Sequence, residues 1–170
     1  KGLQRLAEKH RERFEIPVIG ITGSNGKTIV KEWLYQLLSP ERIITRSPRS
    51  YNSQIGVPLS VWLMNESTEL GIFEAGISEM GEMEALQSII RPSIGVLTNI
   101  GGAHQENFDT LQQKCAEKLL LLKECDIIMS VNREGKIVEV YQHANQRGEV
   151  VDIYILACDE GKSIMMHITG

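Results

Sequence analysis

Residues 19–33 read IGITGSNGKTIVKEW, an apolar run and an amphipathic run joined by a glycine-rich turn that ends in Gly26-Lys27-Thr28. The apolar part, residues 18–22, is short and bounded by Pro17 and Gly23, as in a buried strand. Beyond the turn, Val30, Trp33, Leu34, Leu37 and Leu38 recur at i, i+3, i+4, i+7 and i+8, one face of a helix that Ser39-Pro40 should end. Outward from this unit the alternation repeats. Strands are expected at residues 70–75, 94–98 and 126–131, with a short run at 43–44. Helices are expected at 3–13, 56–64 (Pro58 in its first turn), 82–90 (stopped by Arg91-Pro92) and 110–123. Residues 138–145 read as a further helix, and 150–157 with 163–168 as an antiparallel pair turning at Asp159-Glu160-Gly161. This order predicts an α/β, three-layer fold: a mostly parallel sheet with a P-loop and helices on both faces, and a small antiparallel segment toward the carboxyl end. In such sheets ligands gather beyond the carboxyl ends of the strands, here just after residues 22, 74 and 98.

At the first of these ends stand Thr22, Gly23, Ser24, Asn25, Gly26, Lys27 and Thr28. Glycines let the backbone curl so that N–H groups face an anion, and the new helix adds its unpaired N–H groups and positive dipole end. Lys27 would then reach the β- and γ-phosphates of a nucleotide and Thr28 would hold Mg²⁺. The strict spacing G-x4-G-K-[ST] wants glycine at position 21, where this chain has Ile21, with Gly20 one residue early. A plain strand-to-helix turn is the simpler alternative. A dinucleotide fingerprint through Gly20, Gly23 and Gly26 leaves Lys27-Thr28 without a purpose, and the guanine motif of a switch GTPase has no better match than Asn132-Arg133-Glu134-Gly135.

The second strand ends in Glu74, either a solvated carboxylate or a metal ligand. The third leads to Asn99 and His104, and His104 is a candidate ligand for a second cation. Lys114 and Lys118 share a helix face, either a solvated basic face or a functional pair. A formal charge of −4 argues against a general nucleic-acid partner, and no run approaches the length of a membrane span. Cys115, Cys125 and Cys158 make no CxxC pair and suit buried thiols in a cytoplasmic protein; a Cys115–Cys125 disulfide is the alternative.

The segments GITGSNGKTIVKE, YNSQIGVPLSVW, EAGISEMGEME, RPSIGVLTNIGGAHQENF and CAEKLLLL, in this order, resemble the central ATP-binding domain of the Mur ligases, over about residues 1–130. The glycine one residue early is that family's form of the loop. EAGISEMGE and YNSQIGVP resemble the branch that adds D-alanyl-D-alanine to UDP-N-acetylmuramoyl-tripeptide, ahead of other branches and of folylpolyglutamate synthases. The resemblance implies ATP and Mg²⁺ at two sites as cofactors, with Lys27 and Thr28 in the phosphate loop. It gives Glu74 to the first metal, His104 to the second, and Lys118 to carbamylation, which would turn it into a ligand for the second metal. Asn52 would face the UDP-sugar peptide, and Asn99 the nucleotide. It further implies that residues 1–15 link to an amino-terminal domain and that 16–170 form the middle domain, incomplete at its carboxyl end. Flanking domains would supply the other substrates, some relatives continuing into an alanine racemase domain. The chain alone is expected to bind Mg-ATP without ligating.

Overall fold

The structure, a computed structural model, describes residues 2–100, 107–123, 125, 127–129, 131–133, 136–144, 150–159 and 162–169. Helix α1 (Gly2–Arg11) precedes β1 (Val18–Thr22), α2 (Lys27–Leu38), β2 (Ile44–Arg46), α3 (Gly56–Val61), β3 (Leu70–Glu74), α4 (Glu82–Ile90), β4 (Ile94–Leu97) and α5 (Leu111–Leu119). A 3-10 turn over Leu120–Leu122 follows, then β5 (Ile127–Met129). These strands form a five-stranded parallel sheet in the order β2-β3-β1-β4-β5.

Strand alternation sends side chains to two separate cores. Ile19, Ile21, Ile72 and Val96 pack under α2 through Val30, Leu34 and Leu38. Val18, Phe73 and Leu97 face the other way, toward α3, α4 and the 3-10 turn. The three-layer expectation therefore holds, with helices on both faces. The α2 face is narrower than its sequence suggests. Trp33 and Leu37 are 62% and 73% exposed, because the sheet is met by an i, i+4, i+8 stripe and both residues lie off it.

Strand β1 leads to α2 and then to β2 on one side, while β4 leads to α5 and β5 on the other. The carboxyl ends of β1 and β4 thus flank a topological switch point. Register brings the ends level, with Ile21 opposite Glu74 and Thr22 opposite Leu97.

A second, antiparallel sheet comprises β6 (Val131–Arg133), β7 (Lys136–Ala144), β8 (Val150–Asp159) and β9 (Lys162–Thr169). The antiparallel pair is present as β8–β9. The helix expected at residues 138–145 is corrected: its described residues belong to β7, paired with β8 from Ile137 to Ala144. Ile137, Val138, Val140 and Tyr141 are β-branched or aromatic, and that propensity, reinforced by a long partner strand, outweighs the helical spacing. The strand expected at 126–131 is divided, β5 completing the parallel sheet and β6 beginning the second one.

Candidate functional site

The turn after β1 is shaped by the turn after β4. Ser24 N–H donates to Asn99 O and Asn25 N–H to Asn99 Oδ1, both at 2.8 Å, while Thr98 Oγ1 donates to Asn25 O at 2.5 Å. Gly23 has φ +136°, and a Cβ there would stand 2.1 Å from Thr98 Oγ1. Gly26 has φ +83° and opens α2 with no side-chain cap, so the first-turn N–H groups of α2 lack intrahelical acceptors. Asn99 thus acts here as the clamp of the loop. It takes the N–H groups of Ser24 and Asn25 and leaves the anion-facing role to the start of α2.

Two lysines converge on one carbonyl in this turn: Lys27 Nζ donates to Gly23 O at 2.9 Å and Lys118 Nζ at 3.3 Å. Burial, partly offset by Glu74, holds the Lys27 amine below its usual range. Burial, followed by the charges of Lys27 and Lys114, pushes Lys118 down to about 8. Lys114 and Lys118 are both buried, so the reading of a solvated basic face is excluded. Paired cations in a site shielded from water are arranged to attract an anion.

Glu74 is fully buried rather than solvated. Its Oε2 accepts from Thr28 Oγ1 at 3.0 Å, and its backbone N–H donates to Ser47 Oγ at 3.1 Å. Its Oε1 lies 2.9 Å from Lys31 Nζ in a buried ion pair, and the same ammonium donates to the carbonyls of Ser47 and Arg49. The hydroxyl of Thr22, also fully buried, has no hydrogen-bond partner among the described residues. Glu74 Oε2 and the Thr28 hydroxyl, 3.0 Å apart at the strand end, are the hard oxygen donors that suit Mg²⁺. Among the described residues no three His, Cys, Asp or Glu side chains converge, so a cation here would draw its remaining ligands from phosphate or water.

Asn52 stands across the cleft. Its carbonyl accepts from Gly76 N–H at 2.7 Å, and a Cβ on Gly76 would meet Asn52 Oδ1 at 2.8 Å. Asn52, Gly76, Gly23, Ser24, Lys27 and Lys118 line a cavity of about 180 Å³. Of the residues named from the sequence, the structure gathers Thr22, Gly23, Ser24, Asn25, Gly26, Lys27, Thr28, Asn52, Glu74, Asn99 and Lys118 at one end of the sheet; His104 lies outside the described residues. Sequence reasoning missed Lys31. Its signal was its position three residues after Thr28 and four after Lys27, on the same face of α2. Cys115 and Cys125 are buried free thiols, which removes the disulfide alternative.

The family model described as the Mur ligase middle domain matches residues 21–165, well beyond the stretch where the sequence resemblance was evident. The UDP-N-acetylmuramoyl-tripeptide–D-alanyl-D-alanine ligase of Borreliella burgdorferi is 40% identical over 132 residues, covering 78% of this chain and 28% of the relative. Its namesake from Bacillus subtilis is 32% identical over 143 residues, covering 82% and 31%. The chain therefore spans about a third or less of these relatives' length. In fold, the MurF ligase of Thermotoga maritima, solved in complex with ADP, superposes with a TM-score of 0.69 over 99% of this chain and 44% of that one, at 23% identity.

Proposed function

The chain belongs to the Mur ligase family, matched over the middle domain, and from this premise we propose that it is the nucleotide-binding part of a ligase joining D-alanyl-D-alanine to UDP-N-acetylmuramoyl-tripeptide. The observation that carries the proposal is the convergence of Lys27 and Lys118 on the Gly23 carbonyl, beside the Thr28–Glu74 pair. In this reading residues 1–15 connect to a preceding domain, 16–170 form the middle domain, and flanking domains bring the tripeptide and the amine. In the same reading the enzyme works in the cytoplasm. Among the described residues no helix is long and apolar enough to cross a membrane.

The reaction is amide formation at the expense of ATP. A tripeptide carboxylate oxygen attacks the γ-phosphorus, the bond to the β-phosphate oxygen breaks, and ADP leaves. The amine of D-alanyl-D-alanine then attacks the carbonyl carbon of the acyl phosphate, gives up a proton, and expels inorganic phosphate. Two anions must meet in the first step, and the residues answer that need. Lys27 leaves the Gly23 carbonyl for the phosphates, and the first turn of α2 supplies N–H donors. Thr28 and Glu74 would hold one Mg²⁺, which supplies Lewis-acid relief of phosphate charge. Lys118, with its amine near 8, has a neutral fraction able to take up CO₂. As a carbamate it would serve a second metal together with His104; as an ammonium it would repel one. Asn52 faces the cavity from the side where the acceptor would enter, and Asn99 keeps the loop closed beneath the nucleotide.

The test is a substrate panel on the full-length enzyme. D-alanyl-D-alanine with the UDP-linked tripeptide should release phosphate and form the amide, while glutamate with a folate acceptor should not. Turnover confined to the second pair, or ATP hydrolysis with no bond formed, contradicts the proposal.

A further inference from the structure

The fully buried ammonium of Lys31 is not explained by nucleotide binding. It sits one helical turn beyond Thr28, 2.9 Å from Glu74 Oε1 and 2.8 Å from the Ser47 carbonyl, and it also donates to the Arg49 carbonyl. Glu32, the other carboxylate near it, is 3.3 Å away, partly exposed, and bonded to Arg46 at 2.5 Å. Three pieces of chain therefore meet at one cation: the phosphate-loop helix, the end of β3, and the loop after β2. That loop is shaped to reach it. Arg49 holds φ +50°, a left-handed conformation unfavourable for a side-chain-bearing residue, and such strain persists only where surrounding contacts enforce it. Three residues later the same loop delivers Asn52, whose carbonyl is bonded to Gly76, two residues beyond Glu74.

We propose that Lys31 is a positioning residue for the metal-nucleotide site: it holds Glu74 by one oxygen, leaves the other for the cation beside Thr28, and ties the Asn52 loop to the phosphate-loop helix. The inference rests on the reading of Thr28 and Glu74 as the Mg²⁺ pair. Electrostatics give it a further consequence. With Lys31 facing it, Glu74 presents no net negative charge, and Lys27 and Lys118 lie close by. The free site is then an anion site, so a divalent cation should enter with a nucleotide rather than ahead of it.

The experiment compares the 170-residue chain with its Lys31→Met variant. ADP affinity is measured with Mg²⁺ and with EDTA, and Mn²⁺ binding without nucleotide is followed by electron paramagnetic resonance. The unaltered chain should bind ADP more tightly with Mg²⁺ and take up no Mn²⁺ alone. Lys31→Met should lose about 10- to 100-fold of the Mg²⁺ enhancement, as expected when a group orienting a metal ligand is removed. An enhancement unchanged in Lys31→Met overturns the proposal, since a purely structural lysine would alter stability and leave that ratio alone. Mn²⁺ binding to the unaltered chain also overturns it. An unaltered chain that binds no ADP at all defeats the underlying nucleotide reading, and the proposal with it. Should Lys31→Met fail to fold, Lys31→Arg, which keeps the charge but cannot place it at the same point, goes through the same titrations: a Mg²⁺ enhancement reduced about 10-fold or more supports the proposal, and an unchanged one overturns it.

Discussion

Replacing Gly23 by alanine should damage the site in a way that can be worked out from the turn itself. The backbone there has φ +136°, which L-residues rarely adopt, and forcing alanine into it costs about 1–3 kcal/mol. The new Cβ would stand 2.1 Å from Thr98 Oγ1 and 3.0 Å from the backbone N and O of Asn99. Thr98 must turn away, which breaks its bond to Asn25 O and leaves a buried hydroxyl to be satisfied again, about 1–3 kcal/mol more. The total is about 2–6 kcal/mol, a large share of the ~5–15 kcal/mol that holds an ordinary domain together. Urea denaturation followed by circular dichroism should show the midpoint falling by about 1–3 M. Gly26→Ala is the matched control. Its φ is +83°, but the nearest atom to a new Cβ is Thr98 Cβ at 3.9 Å, so only the backbone term of about 1–2 kcal/mol applies. Equal losses for the two variants, or a Gly23→Ala loss below about 0.5 kcal/mol, would refute the claim that the β4 turn sets the shape of the phosphate loop.

Other consequences follow from buried charges and thiols. Arg11 donates to the carbonyls of Ile90 (2.8 Å), Phe14 (2.5 Å) and Arg91 (3.1 Å), tying α1 to the end of α4. Arg11→Ala should cost about 2–4 kcal/mol in urea unfolding, and Arg11→Lys should restore little, lacking the fork that spans three acceptors. Below about pH 8 the folded and unfolded chains both carry the Lys118 proton, and the penalty for burying that charge stands in full. Between about 8 and the ordinary value of 10.5 only the unfolded chain keeps the proton, so Lys118 makes stability rise with pH, by at most about 1.4 kcal/mol per unit. Chemical denaturation across pH 7–10 (about the range over which this proton is lost) should show that rise flatten in Lys118→Met. Burial pushes the Cys115 thiol up to about 12, so peptide mapping after iodoacetamide at neutral pH should find Cys115 unlabelled in the native chain and labelled in urea.

Much of this site was legible in the sequence because the chain repeats one grammatical unit. Pro17, Gly23 and the five apolar or small residues between them allow little but a buried strand, and Gly26-Lys27-Thr28 after it fixes the start of a helix. Glu74 was legible for a similar reason, as a carboxylate closing an apolar run. Lys31 was not. A lysine on a helix reads as solvent-facing until the fold shows that the carbonyls of Ser47 and Arg49 come from a distant loop to receive it. The same limit hid the burial of Lys114 and Lys118. Trp33 and Leu37 carried the opposite message: large and apolar, they read as core, yet both lie off the stripe of α2 that meets the sheet. In β7 the local spacing fits helix, and only the pairing with β8 decides for strand. These are facts about partners remote in sequence, which periodicity cannot supply.

The central claim is that the Lys27–Thr28 turn, with Glu74 beside it, holds a nucleotide's phosphates together with a cation. Isothermal titration of the chain with ADP in Mg²⁺, repeated with Lys27→Ala, tests it most directly. The account predicts heat of binding from the unaltered chain, weakened when EDTA replaces Mg²⁺, and affinity lowered about tenfold or more in Lys27→Ala, the loss expected when a charge-assisted bond worth ~1.5–3 kcal/mol is removed. Equal binding by the two proteins, or no binding by either, would contradict it.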